Sequence, residues 1–368
     1  MDKILSIVWY KVLPPVFGGQ KGIAGFNKHL AKHHPLVCLC SKNNEPTDDL
    51  FYKVLPELPT SKLQFLNPFV WWKIRSVAKR EKPTHIICEH PYHGIAALLA
   101  ARAINAKLII HSHNIESERF KQTGKFWWRI LRVYERWIHR KADLSFFKTF
   151  SDMEFANKHF SLGHLKSLRI PYGIERPVQN ENANRLIRQR HGISENESIL
   201  LFAGTLDYLP NATAIVNMYE KLIDELEKFN TPFKIIICGR NRHSSFSYLN
   251  KLTHSSIIKV GEVDDIENYF QAANVFINPV LQGGGVQTKN FEALANHCNV
   301  VCFENMSAGL PAQVYQDKLL FAAENDWVSF AASTIKLLKQ KEKTPDAFFT
   351  YFGWEDSIRK VNEGLKTL

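Results

Sequence analysis

The segment at residues 272–302 constrains the fold most, because it predicts a strand, a glycine loop, a helix and a second strand in direct succession. Residues 273–278 form a largely apolar run closed by Pro279, which is typical of a buried parallel strand. Three consecutive glycines follow at 283–285. Helical spacing then appears in four apolar residues: Phe291, Leu294, Ala295 and Cys298.

The same segment predicts an anion-binding site. Backbone N–H groups at the start of a helix, reached through glycines without Cβ atoms, favour a negatively charged group. Lys289 adds positive charge there, and Glu292 lies one turn further on, where its carboxylate can accept hydrogen bonds from a ribose diol. The alternative is a surface ion pair between these two residues at i, i+3 spacing. The three glycines before them favour the anion site.

Strand-like and helical segments alternate in two series, which predicts two α/β domains with doubly wound parallel sheets. The first domain is predicted at residues 1–175 and the second at 176–350. Residues 41–69 are predicted to be a loop, residues 180–197 a polar linker with one short helix, and Asn211 the N-cap of a helix. In such sheets, ligands bind at the carboxyl ends of the strands. Both glycine-rich segments of the chain fall at such ends.

The first glycine-rich segment follows the predicted strand at residues 4–9 and has the pattern GGxxGxxG, formed by Gly18, Gly19, Gly22 and Gly25. A dinucleotide-binding fingerprint would read GxGxxG directly after the strand. The pattern therefore disfavours a dehydrogenase. Two interpretations remain: amides that approach a diphosphate, or glycines that allow close helix packing.

The charge of the chain favours anionic partners, since its formal net charge is +11. Nucleic acid is the least favoured partner, because the sequence has no recognised nucleic-acid motif and no single basic block. Residues 71–82 and 125–141 combine tryptophans with lysines and arginines, as in helices that lie on an anionic membrane surface. The alternative for residues 125–141 is a core-facing helix with a solvated basic back.

The cysteines and the apolar runs predict the cellular location of the protein. Six cysteines fall mostly in apolar strand-like runs without a CxxC pair, which predicts reduced core thiols in the cytoplasm and no structural zinc site. No apolar run approaches the ~20 residues of a membrane span. The N-terminal residues are interpreted as a first strand rather than a signal peptide. We therefore expect a cytoplasmic protein, peripheral on the inner membrane face if the two tryptophan-containing segments bind lipid.

The chain resembles the GT-B glycosyltransferases, and among them the retaining glycosyltransferase family 4. Six segments carry the resemblance in the order of the family: HSHNIESERF, IPYGI, FAGTLDYLPN, IICGRN, GGGVQTKNFEALA and FGWEDSIRKV. The resemblance implies two Rossmann-like domains that face each other across a cleft, with a C-terminal helix at about 351–368 packed back on the first. It also implies a nucleotide-sugar donor on the second domain and an acceptor on the first.

The resemblance also assigns residues. Glu292 matches the glutamate that holds the ribose, and His113 matches the histidine near the reacting sugar carbon, here expected to be a positioning donor. Asn114 and Glu116 fall on the acceptor side. The remaining donor-binding positions are Gly18, Gly19, Gly204, Thr205, Arg240, Gly261, Val263, Gly284, Gly285, Val286, Thr288 and Lys289.

The sequence departs from the family pattern at two places. Gly284 stands where many relatives have a glutamate, and the loop after FAGTL has Asp207 and Asn211 instead of an arginine and a lysine. Lys289 and Arg240 are then expected to neutralise the diphosphate. No metal is expected, because the second domain has no DxD-like motif. In a retaining enzyme of this type, the departing phosphate can itself accept the acceptor's proton.

The resemblance therefore implies hexosyl transfer to a glycan or lipid-linked acceptor, in cell-surface polysaccharide or glycolipid synthesis. Two alternatives use the same architecture. A nucleotide-sugar epimerase would form product from the donor alone. A non-catalytic nucleotide-sugar-binding protein, suggested by Gly284 and the missing loop cations, would bind donor without turnover.

Overall fold

The computed structural model describes residues 2–47, 50–61, 63–282, 286–306 and 309–368. The chain divides into two compact units. The first comprises Met1–Gly173 and Phe352–Leu368, and the second comprises Ile174–Gly283 and Gln287–Tyr351. Each is an α/β unit built on one parallel sheet, which confirms the predicted fold class.

The first unit contains a seven-stranded sheet in the order β3-β2-β1-β4-β5-β6-β7. Its strands are β1 Ile4–Val8, β2 Leu36–Ser41, β3 Lys53–Leu58, β4 His85–Glu89, β5 Lys107–Ser112, β6 Leu144–Phe147 and β7 Ser167–Arg169. Its helices are α1 Gly18–Leu30, α2 Pro68–Glu81, α3 Gly94–Ile104, α4 Glu116–Gln122, α5 Trp128–Lys141 and α6 Phe150–Phe160. The strand order reverses between β1 and β4, and the carboxyl ends at such a switch point form a ligand-binding crevice.

Apolar side chains on the two faces of this sheet form separate cores. Ile87 and Ile109 face α1, whereas Ile86 and Ile110 face α2, α3 and α5, because successive strand residues point to opposite faces. The prediction of a loop over residues 41–69 was wrong, since β3 lies within it. β3 is an edge strand, where a proline such as Pro56 is tolerated because one side of the strand needs no ladder hydrogen bond.

The second unit contains a six-stranded sheet in the order β10-β9-β8-β11-β12-β13. Its strands are β8 Ser198–Ala203, β9 Phe233–Cys238, β10 Ile257–Gly261, β11 Val275–Asn278, β12 Asn299–Phe303 and β13 Leu319–Ala322. Its helices are α7 Ala183–His191, α8 Leu209–Asn217, α9 Ile223–Glu227, α10 Ile266–Ala272, α11 Thr288–Ala295, α12 Ala312–Tyr315 and α13 Trp327–Leu337, followed by α14 Asp346–Phe352. The strand order reverses between β8 and β11, so Lys289 at the start of α11 lies at the switch point.

Two predictions in this unit were wrong. The segment at residues 180–197, predicted as a linker with one short helix, does contain a short helix, α7, but this helix buries Ala183 and Ile187 and packs against α10, so the segment belongs to the second unit. Asn211 is not an N-cap, because α8 begins two residues earlier and Tyr208 occupies the cap position. A π-helical turn at Met218–Leu222 joins α8 to α9.

The C-terminal helix α15, Trp354–Leu365, packs against α1 in the first unit. The Trp354 ring lies against two glycines, where a Cβ on Gly25 would come within 2.5 Å of the ring and one on Gly173 within 2.3 Å. Glycine is therefore required at both positions to seat the indole. Within the described residues, no helix is long and apolar enough to cross a membrane.

Candidate active site

In the first unit, polar residues converge where β4 and β5 end. Glu89 and His111 are register partners at these ends, and His113 follows two residues later on the same face. The carboxylate of Glu89 lies between the two imidazoles, 3.1 Å from Nδ1 of His111 and 2.6 Å from Nε2 of His113. Burial, reinforced by neighbouring positive groups, holds the pKa of both histidines well below its usual range. Both imidazoles are therefore neutral at pH 7.

Lys148 is a member of this cluster that the sequence analysis missed. It follows β6 directly, and the pairing of Ser112 with Phe147 places it beside His113 at the edge of the sheet. Its ammonium is buried, lies 5.7 Å from the centroid of the Phe26 ring, and makes no hydrogen bond within the described residues. Burial lowers the pKa of Lys148 to about 8, against the attraction of Glu89.

Glu116, predicted on the acceptor side, is instead buried inside the first unit. Its carboxylate accepts hydrogen bonds from the Tyr92 hydroxyl and from Nε of Arg119, each at 2.8 Å, and contacts the His90 ring. Burial alone would raise the pKa of Glu116, but His90 and Arg119 lower it to about 2. The carboxylate is thus held by three protein groups, and its acceptor-side role stays a prediction.

The residues next to Glu116 also have structural partners. The buried carboxylate of Glu135 accepts hydrogen bonds from the N–H groups of Glu116 and Ser117 at 2.7 and 2.8 Å, which satisfies the start of α4. Burial raises the pKa of Glu135 to about 7. The carbonyl of Asn114 accepts a hydrogen bond from the Ser112 hydroxyl at 2.7 Å, which fixes the loop between β5 and α4.

Glu89, His111 and His113 could also hold a metal ion, since one ligand atom from each lies within 4.8 Å of the others. Two histidines and a carboxylate are a common zinc-binding set. The hydrogen bonds from Glu89 to the two imidazoles, however, already use the facing atoms of the three side chains. The expectation of a metal-free protein stays a prediction.

The first glycine-rich segment begins α1 itself, with Gly18 and Gly19 in the first turn of the helix. Gly22 and Gly25 face the rings of Tyr172 and Trp354, so these two glycines serve helix packing. The amides of Gly18 and Gly19 occupy the open turn of the helix, where free N–H groups favour an anion.

In the second unit, Lys289 is the central candidate. Its Nζ donates to Oδ1 of Asn211 at 3.2 Å and lies 4.7 Å from the centroid of the Phe202 ring. Burial lowers the pKa of Lys289 to about 7, because its surroundings are mostly neutral. Within the described residues, no carboxylate lies within ion-pair distance of this amine. Asn211 also donates to the carbonyl of Thr205 at 2.8 Å, which ties the start of α8 to the end of β8.

Three glycines, Gly204, Gly239 and Gly261, lie at the carboxyl ends of β8, β9 and β10. Gly239 has φ of +154°, and a Cβ there would lie 1.9 Å from the carbonyl oxygen of Gly204. Gly239 also donates to the carbonyl of Gly261 at 2.7 Å, where φ is +82°. The predicted positions Gly204, Thr205 and Gly261 are therefore brought together by backbone packing, with Val263 partly buried just beyond β10.

Arg240 follows Gly239 at this edge. Its Nε lies 3.8 Å from the carboxylate of Asp207, which also accepts from the backbone N–H groups of Arg242 and His243. These two backbone N–H groups, together with Arg240, lower the pKa of Asp207. Asp207 thus holds the loop after β9 and partly compensates the charge of Arg240.

The helix α11 is fixed to the sheet by a buried pair of amides that the sequence analysis did not identify. Nδ2 of Asn278 donates to Oδ1 of Asn290 at 2.9 Å, and both side chains are fully buried. Asn290 is adjacent to Lys289, so this pair orients the first turn of α11. Thr288 begins that turn, Val286 precedes it, and Glu292 lies partly buried one turn on. Gly284 and Gly285 lie outside the described residues.

Exposed apolar side chains form a distinct surface on the first unit, which we call the apolar row. On α5 and the residues before it, Phe126, Ile130, Val133 and Trp137 recur at helical spacing and are exposed, Ile130 by 74%. On α2 and before it, the exposed side chains are Leu63, Leu66, Phe69 and Trp72. The core-facing alternative for the second segment is therefore incomplete, because one face of α5 is apolar and exposed.

Comparisons with known proteins agree with this architecture. The family described as Glycosyltransferase Family 4 matches residues 18–160, and the family described as Glycosyl transferases group 1 matches residues 197–340. The two matches cover more than three quarters of the chain. The chain belongs to the group 1, family 4-like glycosyltransferases.

Individual relatives are distant in sequence. A protein described as an uncharacterized 44.6 kDa protein in the cps region of Klebsiella pneumoniae is 22% identical over 295 residues, which cover 77% of this chain and 72% of that protein. The crystal structure of Anabaena HepE in complex with UDP and glucose has a TM-score of 0.73 at 16% identity, covering 100% of both chains. WaaG, a glycosyltransferase involved in lipopolysaccharide biosynthesis, has a TM-score of 0.66 at 15% identity, covering 98% of this chain and 95% of its own. These structures share the GT-B fold.

Proposed function

We propose that the protein is a retaining hexosyltransferase that moves a sugar from a nucleoside-diphosphate sugar to a glycan or lipid-linked acceptor. The observation that carries the proposal is the amine of Lys289, which is enclosed by neutral groups at the start of α11. An uncompensated cation at a helix N-terminus favours a diphosphate, which would supply the missing negative charge. Glu292, one turn on, is the proposed ribose ligand.

The relatives support a sugar nucleotide and a surface glycan. HepE binds UDP and glucose, WaaG takes part in lipopolysaccharide synthesis, and the Klebsiella protein is in a cps region. By analogy, we propose UDP as the first nucleotide to test and cell-surface polysaccharide or glycolipid synthesis as the process. No metal enters the proposal, because Lys289 and Arg240 are the groups proposed to neutralise the diphosphate.

The apolar row supports a membrane-associated acceptor. Ile130 and Val133 are exposed on a helix that also carries Arg129, Arg136 and Arg140. Apolar side chains flanked by arginines suit the interface of an anionic bilayer, where the apolar part is buried and the charges meet lipid phosphates. A lipid-linked acceptor bound through α5 would be held by the same unit that carries His113.

Donor binding is tested by thermal unfolding with UDP, GDP, ADP and dTDP. A ligand at about 100 times its Kd adds about 2.7 kcal/mol, or about 5 to 10 °C for a domain of this size. We expect one nucleotide to give such a shift, and Lys289→Ala and Glu292→Gln to reduce it. Lys228→Ala, which removes an exposed lysine paired with Glu225, is the control. Equal shifts in all four proteins would refute the donor site.

The reaction and the surface are tested separately. Proton NMR of the product reports whether the anomeric configuration of the donor is kept, and turnover in EDTA tests the metal-free mechanism. Product from the donor alone would indicate an epimerase instead.

Membrane binding by the apolar row is tested by sedimentation with vesicles containing phosphatidylglycerol. The sedimented fraction should fall in the double variant Ile130→Glu/Val133→Glu. The control is Val328→Glu, at an exposed position of α13 in the second unit. Equal sedimentation of both variants would refute membrane binding.

A further inference from the structure

The hydrogen bonds around Glu89 determine which nitrogen of His113 carries its proton. An ionised carboxylate only accepts hydrogen bonds, so each ring nitrogen that faces it must be an N–H. Nε2 of His113 lies 2.6 Å from Oε2 of Glu89, and Nδ1 of His111 lies 3.1 Å from Oε1. His113 is neutral, so its proton sits on Nε2 and its Nδ1 keeps a lone pair. Within the described residues, the one hydrogen bond of the His113 ring is the bond of Nε2 to Glu89.

The surroundings of His111 determine which of its ring nitrogens carries the proton. Within the described residues, Nε2 of His111 is buried without a hydrogen-bond partner, and the Lys148 ammonium acts on that imidazole, whose Nδ1 faces Glu89. A lone pair on Nε2 is favourable near an ammonium, whereas an N–H there would be repelled. His111 therefore keeps its proton on Nδ1 and donates it to Glu89. The Glu89 carboxylate in turn attracts the Lys148 ammonium.

We propose that Glu89 is a positioning residue that holds His113 as the Nε2–H tautomer, so that His113 offers a hydrogen-bond acceptor, not a donor, to a substrate hydroxyl. The proposal rests on the proposed transferase function and revises the expectation that His113 is a positioning donor. A carboxylate that orients an imidazole in this way sets both its tautomer and its ring orientation. The ligand group would be a sugar hydroxyl, since a lone pair repels an unprotonated phosphate oxygen.

Glu89→Gln is the informative variant, because it keeps the shape of the side chain. The amide of glutamine must present NH2 to one imidazole and its oxygen to the other. If NH2 faced His111, the proton of His111 would move to the buried Nε2 beside Lys148, which is unfavourable. The NH2 group should therefore face His113, which must then carry its proton on Nδ1. Glu89→Asp keeps the carboxylate and should retain the wild-type tautomer.

The tautomer can be measured without substrate, by long-range proton–nitrogen NMR on the full chain labelled with 15N-histidine. His113→Ala assigns the signals. We expect the Nε2–H pattern in the wild type and in Glu89→Asp, and the Nδ1–H pattern in Glu89→Gln. Glu57→Gln, which changes a surface carboxylate paired with Lys73 and Arg80, should leave the pattern unchanged. The same His113 tautomer in the wild type and in Glu89→Gln would overturn the proposal.

Turnover separates this inference from the proposed function. We expect Glu89→Gln to lower kcat by about tenfold or more with little change in the donor KM, and the loss not to add to that of His113→Ala. If His113→Ala keeps full turnover while Glu89→Gln switches the tautomer, the substrate role of His113 fails and the positioning by Glu89 stands. A shift of the His111 and His113 ring signals with one equivalent of ZnCl2 would identify a metal site instead and overturn the proposal.

Discussion

Lys289 gives the sharpest quantitative prediction, because its charge should affect ligand binding and stability in opposite directions with pH. Burial lowers the pKa of this amine to about 7, compared with 10.5 for a solvated lysine. A diphosphate bound against it would raise that pKa again, since the opposite charge favours the protonated form. The free protein must therefore take up a proton to bind the ligand above pH 7.

The size of the change in ligand affinity with pH follows from the pKa of Lys289. Between pH 6 and pH 8, the protonated fraction of a group with a pKa of about 7 falls about tenfold, so the apparent Kd rises by about tenfold. The phosphate of UDP also titrates in this range. The quantity to measure is therefore the ratio of the Kd of Lys289→Met to that of the wild type. Methionine has a similar volume without charge, so this ratio should fall about tenfold between pH 6 and pH 8.

The stability of the free protein should change in the other direction. Between pH 7 and pH 10.5 the unfolded chain keeps the proton on Lys289 and the folded chain does not, so stability rises with pH. From pH 6 to pH 9 the gain is up to about 2.7 kcal/mol, and Lys289→Met should lack it. Isothermal titration calorimetry gives the first quantity and urea unfolding the second. A pH-independent Kd ratio, or equal pH dependence of unfolding in both proteins, would refute the assignment.

Two further predictions concern the first unit. Trp354→Ala should lower the free energy of urea unfolding by about 3 to 5 kcal/mol, because it leaves a cavity where the indole packs against Gly25 and Gly173. The control is Trp72→Ala, at an exposed position, which should change this free energy by about 0.5 kcal/mol or less. Glu81 has a pKa lowered to about 2, chiefly by the hydrogen bond from Lys53, so its contribution is present above about pH 4.5 and is lost as the pH falls toward 2. The stability of Glu81→Gln should lack this loss between about pH 4.5 and pH 2. Equal acid sensitivity of the wild type and Glu81→Gln would contradict the stabilising role of Glu81.

The sequence predicted the strands of both sheets well where their two faces are buried. Strands such as β4 and β9 read as continuous apolar runs, because helices cover both sides of a parallel sheet. β3 did not, because it lies at an edge and alternates Lys53 and Glu57 with apolar residues. α7 was assigned to a linker for a related reason, since it is largely polar and has only a narrow buried side that includes Ala183 and Ile187.

The site could be predicted only in part, because burial of polar residues depends on contacts that a single sequence does not reveal. Lys289 was found through the glycines before it and its position at a helix start. Lys148 follows a strand, as many solvated lysines do, and only the packing of Phe26 against it shows its burial. Asn211 had the sequence context of an N-cap, but its amide instead joins Thr205 to Lys289.

The charges of the two candidate sites differ in a way that suits the proposed substrates. In the first unit, Glu89 is held by two neutral imidazoles and attracted by Lys148, while Glu116 is held by its own partners. In the second unit, Lys289 has only an amide and an aromatic ring beside it. An anionic diphosphate therefore gains most at Lys289, where it removes the cost of an unpaired buried charge. An uncharged sugar hydroxyl fits the first site, where it need not compensate any charge and can donate to the lone pair of His113.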